Sequence, residues 1–131
     1  GLVMTTDDYL RFARMLLREG ADEKGRQLIS RAAVRLMRSN HLTEALQQGY
    51  MAERPGYGYG LGVRVLTHPE MIGALTGMGE YGWAGAQGSW MMVDPAGGLA
   101  AVFMMQGTPG PNREVHPRLR NLIAASAGQK G

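Results

Sequence analysis

The stretch Gly79 to Pro95, GEYGWAGAQGSWMMVDP, constrains the fold of this chain more than any other. Two short runs, Glu80–Ala86 and Ser89–Val93, are rich in aromatic and β-compatible residues and are separated by Gln87-Gly88, a pair that lets the backbone reverse. The pattern predicts a β-hairpin. Its glycines at Gly79, Gly82, Gly85 and Gly88 recur every third residue, so along a strand they fall on alternating faces and no one packing surface explains them. Glycine inside a strand weakens it and often marks close approach of a ligand or another backbone. The hairpin is therefore the candidate site.

The flanking sequence reads as helices first and strands after. Thr5 or Thr6 can cap a helix; Thr5 and Asp8 have capping-box spacing, with acidic residues in the electropositive first turn. Tyr9, Phe12, Ala13, Leu16 and Leu17 recur at three and four residues, predicting one apolar stripe on a helix running to about Glu19 and stopped by Gly20 at C′. Ser30 caps a second helix through about Ser39, with either Val34 and Met37 or Ala33 and Leu36 turned inward. Periodicity is lost over Thr43–Pro55, which reads as a surface loop. Tyr57–Leu66 alternates as one strand, ended by His68-Pro69 because proline donates nothing to a ladder. After the hairpin and a turn at Pro95–Gly98, the unbroken apolar run Leu99–Met105 suits a strand buried on both faces. Gly107–Asn112 reads as a loop, and Pro117–Ser126 as a closing helix with proline near its first turn and Leu119, Leu122 and Ile123 toward the sheet. The sum is one α+β unit over 1–131: helical over 1–40, an antiparallel sheet over 56–106 and helical again over 113–127.

Composition removes several function classes. At 131 residues and 44% hydrophobic, the chain suffices for one domain or part of one. Its net charge of +3 comes from scattered residues, with no basic run interleaved with aromatics, so no nucleic-acid partner is expected. Cysteine is absent, which excludes disulfides and thiolate metal sites and leaves the compartment, cytoplasmic or periplasmic, undecided. No apolar run approaches the length of a membrane span. His41, His68 and His116 lack metal-ligand spacing, so no metal site is expected. Ser89 has Asp94 nearby but no G-x-S-x-G elbow, and Asp94-Pro95 is most simply a turn. The methionines, Met91, Met92, Met104 and Met105 among them, read as gap-filling core.

Trp83-Ala84-Gly85, followed by Ala86 and Gln87 and then by Val93-Asp94-Pro95, resembles the C-terminal active-site strand of the serine β-lactamase and penicillin-binding-protein superfamily. The likeness is greatest to its class C β-lactamase-like, family VIII-type esterases, which carry Trp-x-Gly where other members carry Lys-Thr-Gly or His-Thr-Gly. GLVMTTDDYLRFARMLL at the start, GYGYGLGV at Gly56–Val63 and AVFMMQ at Ala101–Gln106 extend it over most of the chain. The resemblance implies the C-terminal part of a β-lactamase/transpeptidase-like fold whose hairpin strand lines the substrate cleft. It further implies that the backbone N–H of Ala86 is one of two oxyanion donors, a group whose loss costs about 3 to 4 kcal/mol. Gly85 would leave room for substrate and Trp83 would wall the acyl or alcohol pocket, with Ala84, Gln87 and Tyr81 as further substrate-binding residues.

The superfamily's nucleophile is a serine followed three residues later by lysine. Here Ser30, Ser39, Ser89 and Ser126 are followed at that spacing by Ala33, Leu42, Met92 and Gln129. The expected Tyr-x-Asn or Ser-x-Asn motif is missing as well. Both motifs precede the matched region in the superfamily, so the expectation is the C-terminal part of a longer esterase or amidase. Such an enzyme works through an acyl-serine on a small-molecule ester or amide, without metal or organic cofactor, and this part alone would be inert without the N-terminal part of the fold. Trp83 in place of the box lysine removes a charge that would hold a substrate carboxylate and so suits neutral substrates. The other reading is a non-catalytic binding or assembly domain on the same scaffold. In either case an uncovered Leu99–Met105 edge invites self-association.

Overall fold

The computed structural model describes residues 2–107, 110 and 112–128; of the loop expected over 107–112, residues 108, 109 and 111 lie outside those described. Three helices, α1 (Thr6–Leu17), α2 (Arg31–Met37) and α3 (Glu44–Tyr50), precede the strands β1 (Tyr57–Tyr59), β2 (Arg64–Leu66), β3 (Tyr81–Ala84), β4 (Trp90–Asp94) and β5 (Leu99–Phe103). Helix α4 (Asn112–Ala127) closes the chain. The strands form one antiparallel sheet in sequence order. This is the α+β arrangement expected.

Alternation along each strand sorts the core into two layers. Val63, Val65, Tyr81, Met91 and Val93 pack against Ala13, Met15 and Leu16 of α1, and the buried Tyr81 hydroxyl donates to the Leu16 carbonyl at 3.1 Å. Trp90, Met92 and Ala101 face the other way, against Leu119 and Ile123 of α4. Leu122, expected to face the sheet, is 67% exposed.

Local chemistry explains where the elements depart from the sequence reading. Thr5 caps α1 as expected, accepting from the Asp8 N–H at 3.2 Å. The helix ends at Leu17, two residues early, because Glu19 and not Gly20 takes the left-handed C′ position at φ 52°. The Gly20 N–H then bonds the Met15 carbonyl and the Glu19 N–H that of Leu16, a full Schellman pair. Ser30 caps α2, and of the two inward pairs it is Val34 and Met37 that pack, while Leu36 is exposed.

The segment read as a loop over Thr43–Pro55 contains α3, which buries no residue and so carries no apolar stripe. It is held by the Thr43 cap and by Gln47, whose amide donates to the Tyr57 carbonyl at 3.0 Å. Tyr57–Leu66 is two strands rather than one: the chain reverses at Gly62, φ 77°, and pairs Tyr57 with Leu66. β5 is not buried on both faces, being half-buried apart from Ala101 and, among the described residues, paired only to β4 at the edge of the sheet. Pro117 lies inside α4 rather than at its first turn.

The hairpin also differs in detail. β3 and β4 are joined by Gly85–Ser89, longer than the two-residue turn expected, with Gly88 N–H bonding the Gly85 carbonyl at 3.1 Å and Gly88 at φ 100°. That is a type I turn closed by a left-handed glycine. Its far side is anchored twice: the Gly107 N–H bonds the Gln87 carbonyl at 2.9 Å, and His116 Nε2 bonds the Gly88 carbonyl at 2.8 Å. His116 of α4 also stacks on Trp90, with centroids 5.6 Å apart.

Two predictions follow from these contacts. A Cβ at Gly82 would lie 2.0 Å from the Met91 carbonyl oxygen, whereas one at Gly49 in α3 would meet nothing within 4 Å. Urea unfolding should therefore show Gly82→Ala losing about 2 kcal/mol or more from backbone displacement and Gly49→Ala gaining about 0.5–1 kcal/mol. Burial, reinforced by the charge of Arg64, lowers the His116 pKa against the opposing pull of its bond to Gly88. The folded state thus prefers neutral imidazole. Its stabilisation is complete above the unfolded value of about 6.5 and is lost as pH falls below it, where the unfolded chain takes the proton first. The stability difference between wild type and His116→Gln, which keeps a donor for Gly88 but does not titrate, should shift against wild type from about pH 8 to about pH 5.

Candidate functional site

The Trp83–Gln87 segment sits where β3 outruns its neighbour. β2 pairs with β3 through Arg64↔Gly82 and Val65↔Tyr81, so among the described residues Trp83 and Ala84 have strand partners on the β4 side alone. The edge expected to line a cleft is open. Beyond it, Ala86 and Gln87 are exposed, and no acceptor for the Ala86 N–H occurs among the described residues. Because Ala86 and Gln87 are the central residues of the type I turn, the anchors on Gln87 and Gly88 fix the turn from behind. An amide held this way needs no reorganisation before it can donate.

Trp83 stands at the open edge in a chain of aromatic contacts. Its ring meets Tyr59 edge-on at 5.4 Å, Tyr59 meets Tyr50 of α3 at 5.3 Å, and the Arg54 guanidinium lies 5.2 Å from the Trp83 centroid. Edge-to-face contacts of this kind hold a tryptophan in one orientation. Burial, then the neighbouring Tyr50, pushes the Tyr59 pKa up, so its phenol is neutral at physiological pH. Tyr50, Arg54 and Tyr59 were not among the residues singled out by sequence. Tyr59 lay in the visible GYGYG alternation, but Tyr50 and Arg54 fall on or beside a helix without an apolar stripe.

Three of the sequence-selected residues have other duties. Tyr81 is fully buried with its hydroxyl bonded to Leu16 and its pKa raised to about 12 by burial, which leaves no surface for a substrate. Gly85 lacks a Cβ for a local reason: one would lie 2.5 Å from Ser89 Oγ, so the space is already taken by the hairpin's own serine. The glycine period likewise reflects backbone geometry, with Gly79 and Gly88 at positive φ and Gly82 against the Met91 carbonyl. Ala84 packs against the Trp90 cluster and lines a cavity of about 330 Å³ on the α4 side of the sheet. Ala86 does not line that cavity. His116, considered in sequence only as a metal ligand, is the residue that ties α4 to the hairpin.

Among the described residues no cluster of His, Cys, Asp or Glu has the arrangement of a metal site, and no helix is long and apolar enough to cross a membrane. The arrangement can offer an open strand edge, a fixed amide and an aromatic wall. It contains no serine with a lysine one helical turn away.

Comparison with known proteins agrees with this architecture. A family model described as Beta-lactamase matches residues 1–125. Protein Rv1367c of Mycobacterium tuberculosis (strain ATCC 25618 / H37Rv) is 38% identical over 115 residues, a match covering 83% of this chain and 28% of that protein. Among solved structures, EstCE1, a hydrolase with promiscuous acyltransferase activity, superposes with a TM-score of 0.67 at 23% identity over 91% of this chain and 29% of its own. Unliganded simvastatin synthase (LovD) from Aspergillus terreus gives 0.69 at 22% identity over 93% and 34%. The chain thus spans about a third or less of the proteins it matches, and its sheet and helices are part of the fold seen in those two structures. With the family model running from the first residue to the last turns of α4, the chain belongs to the beta-lactamase family.

Proposed function

We propose that this chain is the C-terminal part of a serine hydrolase, an esterase or amidase, and supplies its cleft-edge hairpin, with the Ala86 N–H as one of two oxyanion donors. The observation that carries this reading is the Ala86 amide itself, exposed, without an acceptor among the described residues and braced through Gly107 and His116. A serine from the remainder of the enzyme attacks the substrate carbonyl, and the oxygen that becomes anionic accepts from this N–H and a second amide. Collapse forms the acyl-serine and releases the alcohol or amine with a proton; water then attacks the acyl carbon and releases the acid. Trp83, steadied by Tyr59 and Arg54, walls the neutral part of the substrate. Hydrolase and promiscuous acyltransferase activity, named for EstCE1, is compatible with this acyl-transfer class.

The turn geometry supplies a specific test. Ala86 occupies the first central position of a type I turn, where proline is well tolerated, so Ala86→Pro deletes the N–H while keeping the loop. In the protein that carries the Ser-x-x-Lys segment, this change should lower kcat for p-nitrophenyl esters about 10²–10³-fold with a small effect on KM. An unchanged kcat would overturn the assignment and favour a binding or assembly role. The 131-residue chain alone should show no ester turnover that a serine-directed reagent abolishes, and such turnover would contradict the need for an added nucleophile.

We also propose that the outer edge of β5 pairs with further polypeptide. Among the described residues β5 has a strand partner only in β4, and by alternation from the Gly85–Ser89 bond the Ala100 and Val102 N–H groups point outward. Size-exclusion chromatography with light scattering should show the chain self-associating, with Ala100→Pro, tolerable on an edge, shifting it to monomer. A wild-type chain that stays monomeric would contradict this.

A further inference from the structure

The cavity on the α4 side of the sheet carries more positive charge than its surroundings neutralise. Of about 330 Å³, it is walled by Arg54, Tyr57, Arg64, Trp90, His116 and Arg120. Arg64 and Arg120 are only 6% and 3% exposed. Burying a guanidinium is unfavourable unless its donors and charge are matched. Here neither is fully matched. Arg120 spends Nη1 on the Tyr57 hydroxyl at 2.8 Å and Nε on Asn121 at 3.2 Å, but Nη2 has no acceptor among the described residues. The Trp90 indole N–H has none either. Arg64 lies over the Tyr57 ring at 5.1 Å and 3.6 Å from Glu80 Oε1, but it donates a hydrogen bond to no acceptor found among the described residues.

Glu80 is a weak counter-charge. Burial, with a smaller push from Asp94, raises its pKa against the opposing bond from Thr76 and the charges of Arg64 and Arg120, so it holds a proton more readily than an ordinary glutamate. At the rim, Glu53 is paired with Arg113. What remains is a pair of buried guanidiniums and an indole N–H with spare donors, beside the apolar surfaces of Ile72, Pro117 and the Tyr57 ring. Guanidinium forks match a carboxylate in two-point geometry, and apolar walls suit an organic body behind it better than bare inorganic phosphate.

We propose that this cavity is a carboxylate-binding site, distinct from the Ala86 turn, in which Arg64 and Arg120 grip the carboxylate and the Trp90 indole N–H donates to it. The carboxylate can come from a small organic acid or from an aspartate or glutamate side chain of further polypeptide, and two probes separate these sources. ¹H–¹⁵N NMR of the 131-residue chain follows the indole N–H signals of Trp90 and Trp83 and the arginine Nε–H signals. Sodium benzoate stands for the free acid and N-acetyl-glutamyl amide for the side chain, each against sodium chloride at equal ionic strength.

The expected result is a saturable downfield shift of the Trp90 indole signal with at least one probe below about 50 mM, with Trp83 unmoved. The tighter probe identifies the source. Arg64→Met and Arg120→Met should each weaken binding about tenfold or more, and Arg113→Ala should not. Should either buried-arginine variant fail to fold, Trp90→Phe removes only the indole donor, and binding is then read from the Arg64 and Arg120 Nε–H signals. A response that is linear, equal with chloride, or unaffected by every one of these variants overturns the proposal.

Discussion

The structure depends on the register between β3 and β4, Tyr81 opposite Val93 through Ala84 opposite Trp90. Because side chains alternate, this one register puts Tyr81 and Val93 against α1 and Ala84 and Trp90 against α4. A slip of one residue would exchange the layers, exposing Trp90 to the α1 side and stranding the Tyr81 hydroxyl away from Leu16. The close approach of Gly82 to the Met91 carbonyl admits no side chain at that point and so helps to pin the register. The turn at the end of the pair inherits its position from the same constraint.

The proposed cleft edge follows from what β3 does not pair with. β2 stops at Arg64 while β3 continues, which leaves the end of β3 without a ladder partner on that side among the described residues. Stability alone would favour extending β2 or covering the gap. Instead the turn is braced from the opposite side by α4 and by the segment after β5, so the amide is held with no acceptor among the described residues. Fixing a donor in place before charge develops is what an oxyanion site requires, and it is a use for which an unpaired amide is an asset.

The helix caps, the hairpin and the α+β order were legible because each rests on local chemistry: Thr5 and Ser30 hydroxyls, Gly88 in a turn, alternating apolar residues in β3 and β4. The family likeness was legible from Trp83-Ala84-Gly85 and its flanks. What was not legible depends on contacts distant in sequence. α3 has no buried face, so only Thr43 and the bond from Gln47 to Tyr57 declare it, and the latter spans ten residues. Tyr81 alternates with Trp83 and looked equally available, yet α1 covers one and Tyr59 touches the other. The glycine period invited a ligand explanation, but Gly79 and Gly88 take positive φ, while Gly82 and Gly85 stand against the Met91 carbonyl and Ser89 Oγ. His116 gave no signal because its partner, the Gly88 carbonyl, is a backbone atom 28 residues away.

The account rests on the direction in which one amide points when substrate is bound. The measurement that addresses it is a crystal structure of the complete enzyme carrying a phosphonate or boronate adduct on its serine, the oxyanion mimic marking where charge develops. The account predicts that mimic oxygen within about 2.7–3.1 Å of the Ala86 nitrogen, with the turn unmoved. An adduct whose oxygen is bound elsewhere, with the Ala86 N–H facing solvent, would contradict it.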